Sequence, residues 1–254
     1  MENDEYKIMY DLEKSYWWFV GKQFLIKNYL KRLGLDRLKQ AKILDIGCGT
    51  GIILKILEEF GTAYGIDLSS EAIGFLRQRD LNFVACADAG QPLPFRNNVF
   101  SAITCLDVLE HLDNDLGLLE EMVRICKPEG YIIITLPAFD ILWSIHDEAL
   151  HHKRRYTLKQ ILAYVSRLNC RVIKASYFNT ILFLPILIVR KLKSLLPHKK
   201  ELESDFFIPM PGWINSLLKS LFISEIFFSK SLSLPFGVSL LLIIKKHKVL
   251  SVNE

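Results

Sequence analysis

Apolar residues along this chain switch repeatedly between two periods. Short unbroken runs recur at Lys42 to Ile46, Ala63 to Ile66, Asn82 to Cys86, Val99 to Cys105, Tyr131 to Leu136 and Arg171 to Tyr177. Between them, apolar positions return every three or four residues, as in Ile52 to Phe60 and Thr157 to Leu168. Runs this short suit parallel strands buried on both faces, and the longer period suits amphipathic helices. Helix starts are marked by Ser69 or Ser70, by Asp113 or Asn114, and by Thr157, whose short side chains can cap exposed backbone N–H groups. Strand and helix in alternation predict an α/β, doubly wound, Rossmann-like sheet.

Two stretches fall outside this rhythm. Residues 1–36 read as a helical cap, with Phe24, Leu25, Tyr29, Leu30 and Leu33 at helical spacing up to Gly34 as the stop. The preceding Tyr16-Trp17-Trp18-Phe19 either packs on the sheet or forms a lid over the site, and both can hold together. The second stretch, residues 178–236, is apolar and then basic. No charge stands between Lys174 and Arg190, Ile181 to Val189 is nearly all aliphatic or aromatic, and Arg190, Lys191, Lys193, Lys199 and Lys200 follow. Trp213 to Lys230 then shows an apolar helical face. The first segment is too short to span a bilayer and suits an interfacial one. Contact with an anionic membrane surface, packing on the sheet and a dimer interface are the three readings. Residues 37–177 with 237–248 form the core around which these pieces are arranged.

The first strand runs into Leu44-Asp-Ile-Gly-Cys-Gly-Thr-Gly51, a glycine turn that lets a ligand approach the backbone closely. Its Gly-x-Gly-x-Gly spacing differs from the Gly-x-Gly-x-x-Gly of dinucleotide sites, which disfavours a dehydrogenase. Acids close three successive strands at Asp45, Asp67 and Asp88. They suit a ligand with a cationic centre, a ribose diol and an adenine amine.

At these residues the chain resembles the class I S-adenosylmethionine-dependent methyltransferases, of the type-11-like, Rossmann-type group. Phe100 to His111 is similar to that family's fourth-strand motif, and Lys127-Pro-Glu-Gly130 to its turn into the fifth strand. The resemblance covers about Lys42 to Leu136 well. It implies a seven-stranded sheet with the last strand antiparallel, here best matched by Val238 to Lys246. A helical insertion of about sixty residues then separates the last two strands and leaves from the ligand-facing edge. It also implies S-adenosylmethionine as cofactor, with Asp45, Gly47, Cys48, Gly49 and Gly51 around its methionine part. Asp67 with Leu68 would hold the ribose, Asp88 with Ala89 the adenine, and Leu106 and Val108 would complete the walls.

Charge refines the picture of the partner. Residues 1–177 hold 22 Lys/Arg against 23 Asp/Glu, and residues 178–254 hold 10 against 5. The basic and apolar excesses share the C-terminal third, which fits a membrane surface better than nucleic acid. The five cysteines stand singly, without a Cys-x-x-Cys pair, and the N-terminus is polar rather than a signal peptide. These features predict a cytoplasmic protein, peripheral on the inner membrane face, as a monomer or homodimer.

Methyl transfer chiefly needs positioning, with a base only where the acceptor must lose a proton. His111, just after the fourth strand, is the first candidate base. The long connection from Pro137 to Tyr156 offers His146, Asp147 and His151. The same loop carries Trp143, Arg154, Arg155 and Tyr156, which with Trp17 and Trp18 form the candidate acceptor site. Lys153-Arg154-Arg155 reads either as a solvated basic loop or as an anion clamp. Glu110 could hold the cofactor's amino group or a water. No metal is predicted, because Glu110 and His111 lack ligands at close spacing. The leading function is O-methylation of an amphipathic or lipid-linked acceptor. Methylation of a soluble metabolite, with the insertion as lid, and a non-catalytic binding module are the alternatives.

Overall fold

A computed structural model describes residues 3–38, 40–195, 210–229 and 232–248. Seven strands form one sheet: β1 (Lys42–Ile46), β2 (Thr62–Asp67), β3 (Val84–Cys86), β4 (Phe100–Leu106), β5 (Cys126–Pro137), β6 (Cys170–Phe178) and β7 (Ser239–Lys246). Their order is β3-β2-β1-β4-β5-β7-β6, and β7 runs antiparallel to both neighbours. The doubly wound sheet with a reversed last strand is therefore present as expected.

The inner strands β1 and β7 are buried almost throughout, which is why their sequences are unbroken apolar runs. The edge strands differ. β3 is three residues long and largely exposed, and β6 is exposed over its first half, so neither offers a long apolar edge. β5 begins earlier than its apolar run. Cys126 already pairs with Phe100, and Lys127 to Gly130 bulge out before Tyr131 meets Ala102.

Helices cover both faces. On one side lie α2 (Trp17–Arg32), α3 (Ile52–Leu57), α4 (Ser70–Gln78) and α9 (Gly212–Phe228), which share a core that includes Leu25, Leu30, Leu57, Leu76 and Phe222. On the other side lie α5 (Asp115–Ile125) and α7 (Leu158–Val165), around Leu118, Met122 and Ile161. The starts are capped where the sequence indicates: Ser69 accepts from Glu71 and Ala72, Asn114 from Gly117, and Thr157 and Gln160 bond reciprocally. Gly34, at φ +74°, ends the helical cap.

The connection after β5 is more ordered than its loop-like sequence implies. It contains the short helix α6 (Ile145–Ala149), whose first turn is held by Ser144 N–H donating to Asp147 Oδ2 (3.0 Å). The insertion between β6 and β7 contains α8 (Phe183–Leu195) and α9. Pro185 falls in the first turn of α8, where its missing N–H has no partner to lose. Lys199, Lys200 and Lys230 lie outside the described residues, as does the Lys193 side chain. Among the described residues, no helix is long and apolar enough to cross a membrane.

The insertion and the N-terminal cap are one layer. Asn215 of α9 accepts from Trp17 N–H (2.8 Å) and donates to Ser15 O (2.9 Å). Phe222 stacks on Trp18 and Phe178 with ring centroids 5.8 Å apart in each pair. Gly21 makes this crossing possible, since a β-carbon there would lie 2.0 Å from the Phe222 ring. α1 (Asn3–Leu12) completes the layer at the carboxyl ends of the first strands.

Candidate active site

One cavity of about 630 Å³ opens at the carboxyl ends of β1, β2 and β4 and continues beneath the insertion. This is where open α/β sheets hold ligands. At one end it is lined by Gly47, Gly49, Asp67, Leu68, Asp88 and Ala89, and Leu106 and Val108 form its floor. The turn after β1 approaches closely. A β-carbon on Gly47, at φ +69°, would lie 2.4 Å from Val108 Cγ2, so only glycine fits.

Asp67 organises this end. Its carboxylate accepts from Gly49 N–H (2.8 Å), Ser69 N–H (3.0 Å) and the Tyr6 hydroxyl of α1 (3.3 Å). Asp88 accepts from Gly90 N–H (2.8 Å), is exposed and lines the cavity. A glycine cradle and two carboxylates on the cavity wall fit a nucleoside carrying a charged tail, so these groups match the cofactor that the acidic series implies. Three other residues of that prediction support the turn from behind and do not line the cavity. Asp45 is buried against Thr104 Oγ1 (2.6 Å), Cys48 is buried, and Gly51 packs against Leu76 and Leu81. The cap is tied to the same turn by Glu13, which accepts from Thr50 Oγ1 (2.5 Å) and pairs with Arg79.

The other end holds the ionisable residues. Lys22 of α2 pairs with Asp107 (2.6 Å), and Thr135 Oγ1 donates to the same carboxylate (2.8 Å). Burial alone would raise Asp107, but Lys22 and Thr135 outweigh it and hold its carboxyl below the usual range. Glu110, His111, His146, His152 and Arg155 also face the cavity. Glu110 is fully buried, and neither carboxyl oxygen has a hydrogen-bond partner among the described residues. Burial, and then Asp107, push its carboxyl well above the usual carboxylate range. His111 is pushed down to about 4 by burial and then by His152, whose ring centroid is 4.9 Å away, so it is neutral at neutral pH.

Asp147 is a buried hub rather than a free base. Oδ1 lies 2.9 Å from His152 Nδ1 and 2.8 Å from Arg155 Nε, and Oδ2 accepts from Arg155 Nη2 (2.9 Å) and Ser144 N–H. Burial would raise its carboxyl, but His152 and the Arg155 fork hold it well below the usual range.

Several predicted site residues lie elsewhere. His151 is exposed at φ +56° and Trp143 is half-buried, both outside the cavity lining. Tyr156 donates to Asp115 (2.8 Å) and packs in the core. The basic run is not a free anion clamp, because each cation meets an internal acid: Lys153 with Asp113, Arg154 with Asp115, Arg155 with Asp147. Trp17 and Trp18 do line the cavity, and the buried Trp17 indole N–H has no acceptor among the described residues.

Two inward groups are not among the predicted site residues: His152, and Arg190 of α8, which its sequence groups with the surface cations but which is buried. Arg190 donates to Leu142 O (2.6 Å) and lies 3.8 Å from Asp147. Their neighbours in sequence carry the same chemistry, so only the path of the chain separates them. Spacing along the chain also argued against a metal. The fold nevertheless brings the polar atoms of Glu110, His111 and His152 within 4.8 Å of one another, so that argument does not exclude an ion there.

Comparison with known proteins agrees with this geometry. Residues 44–134 match a family described as "Methyltransferase domain". A ubiquinone biosynthesis O-methyltransferase of Dechloromonas aromatica is 26% identical over 134 residues, 47% of this chain and 56% of that protein. A demethylmenaquinone methyltransferase of Corynebacterium urealyticum is 35% identical over 130 residues, 45% of this chain and 55% of that protein. The chain thus spans about half the length of these two relatives. An S-adenosylmethionine-dependent methyltransferase of Archaeoglobus fulgidus has the same fold, with a TM-score of 0.56 at 20% identity over 88% of this chain and 94% of that one. Residues 44–134 thus carry a methyltransferase domain on a class I, Rossmann-type fold, and the glycine turn and acid-ended strands fit S-adenosylmethionine.

Proposed function

We propose that the protein methylates an oxygen of an amphipathic, apolar-tailed acceptor delivered from an anionic membrane face. The observation that carries this reading is the continuity of the cavity. It runs from the Asp67 and Asp88 carboxylates to walls supplied by the insertion, where Leu182, Pro185, Ile186 and Val189 of the α8 region face Trp17 and Trp18. The polar head of an acceptor would reach the cluster at Glu110 and His152 while its tail lies along the insertion. S-adenosylmethionine, when bound, supplies a methyl group on a sulfonium that an acceptor oxygen displaces in line. The chain's part is to hold the nucleophile at that carbon and exclude water.

Three further features support the reading. Leu184, Ile188 and Leu192 make an exposed apolar stripe along α8, at 61%, 56% and 58% exposure. Trp213, at the start of α9, is 71% exposed, and an amphipathic ring of this kind suits a headgroup layer. The names of the two relatives above both concern isoprenoid quinones, whose chemistry pairs a small polar ring with an apolar tail. The reading places the chain peripherally on the inner membrane face, with residues 178–236 as the contacting part.

Replacing the α8 stripe tests it. Leu184→Glu, Ile188→Glu and Leu192→Glu together should lower methyl transfer to a total lipid extract of the host at least about tenfold. That corresponds to about 1.4 kcal/mol. Cofactor affinity by calorimetry should stay unchanged. Undiminished transfer to lipid would contradict the proposed route. Transfer that appears only with an aqueous extract would favour a soluble metabolite beneath the insertion as lid.

A further inference from the structure

We infer that His152 is the catalytic residue that takes the proton from the acceptor's hydroxyl, with Asp147 and Arg155 as the residues that position it. The inference rests on the methyl-transfer reading above and adds to it the group that makes oxygen nucleophilic.

The geometry is that of a carboxylate–imidazole pair aimed into a cavity. Asp147 Oδ1 lies 2.9 Å from His152 Nδ1, and an ionised carboxylate can only accept. Nδ1 therefore carries the ring hydrogen, and the lone pair is left on Nε2. That nitrogen faces the Glu110 carboxyl, with Oε1 at 4.0 Å, on the wall of the cavity. A gap of 4.0 Å is too long for a direct hydrogen bond, so Nε2 is not engaged by Glu110. The side chain is 6% exposed, which keeps bulk water from competing for the lone pair.

The support behind the ring is fixed from several sides. Arg155 grips both Asp147 oxygens, and its Nη1 donates to Ala138 O (3.0 Å), tying the pair to the end of β5. His152 N–H donates to Asp147 O (2.8 Å), and Lys153 N–H to Glu110 O (2.8 Å), which sets the loop against the end of β4. The groups facing the ring are thus Arg155 on its own loop, His146 and Asp147 on α6, Asp107, Glu110 and His111 after β4, and Arg190 beyond Asp147.

His111 is less suited to the task, because a ring held near pH 4 accepts a proton weakly at neutral pH. In the proposed step the acceptor's O–H proton passes to Nε2 while its oxygen forms the new C–O bond. The methyl carbon's bond to sulfur breaks and its electron pair stays on sulfur as a neutral thioether. The resulting imidazolium sits beside the Asp147 carboxylate and loses its proton to water once the product leaves.

Two measurements on the full chain test this. In the first, ¹⁵N-histidine NMR of the protein without acceptor, recorded under alkaline conditions, should show His152 with hydrogen on Nδ1 and a bare Nε2. The Nε2-protonated tautomer would overturn the assignment. In the second, tritiated methyl transfer to the host lipid extract is followed for wild type and His152→Ala. The variant should lose about 10²-fold or more in kcat with cofactor affinity and melting temperature retained, and added imidazole should restore part of the rate. A variant that keeps its rate, or a loss that imidazole does not rescue, overturns the base role alone. Wild-type turnover abolished by EDTA and restored by Mg²⁺ would assign the cluster to an ion and also overturn it. A wild type that transfers nothing, with the predicted tautomer present, would instead sink the methyl-transfer reading on which this one rests.

Discussion

Asp45 illustrates what a single residue contributes here. Its carboxyl is buried beneath the glycine turn, where burial pushes it up to about 7 against the opposing pull of Thr104 and Lys22. An unfolded aspartate titrates near 3.9. Below about pH 4 the group is protonated in both states. Between about 4 and 7 the unfolded chain releases its proton first, so stability falls as pH rises, and above about 7 the loss is complete. Asp45→Asn should remove this dependence. Between pH 5 and 7 the wild type should lose about 2 kcal/mol more than the variant, or roughly 5 °C in melting temperature. Parallel melting curves for the two proteins over that range would contradict the assignment. Asp67, Asp88 and the glycines were legible in the sequence because each follows directly from a strand end. The roles of Asp147 and His152 were not, since the inward member of a His-His-Lys-Arg-Arg run depends on a left-handed turn at His151 and a bidentate ion pair.

At the scale of elements, the junction between α2 and α9 joins the cap to the insertion. Phe222 is 1% exposed and contacts Trp17, Trp18 and Phe178 through their rings. Phe222→Ala should cost about 3–5 kcal/mol, because Gly21, directly beneath the ring, has no side chain to fill the space left behind. A denaturant melt reads this directly, and a cost under about 1 kcal/mol would mean that the two layers are not coupled. The sequence showed that an apolar insertion exists and where it departs from the sheet. It did not show which apolar face meets which, since Trp17, Trp18 and the α9 face are interchangeable as hydrophobic surface until Asn215 and Gly21 select a crossing. The connection after β5 escaped for a related reason: α6 is five residues long, too short for a periodic signal, and is held by the Asp147 carboxylate.

Taken as a whole molecule, a sheet whose carboxyl ends are fitted to a charged nucleoside is roofed by helices whose inner side is apolar and whose outer side exposes further apolar residues. Under the proposed function, that arrangement would give a hydroxylated, apolar-tailed molecule a path from a surface to the cluster at His152. The most direct test is to incubate the purified full chain with methyl-labelled S-adenosylmethionine and an extract of its host cells, then partition the products. The account predicts label in the organic phase, dependent on the protein and saturating with the lipid fraction. Label confined to the aqueous phase, or none transferred while the cofactor still binds, would contradict it.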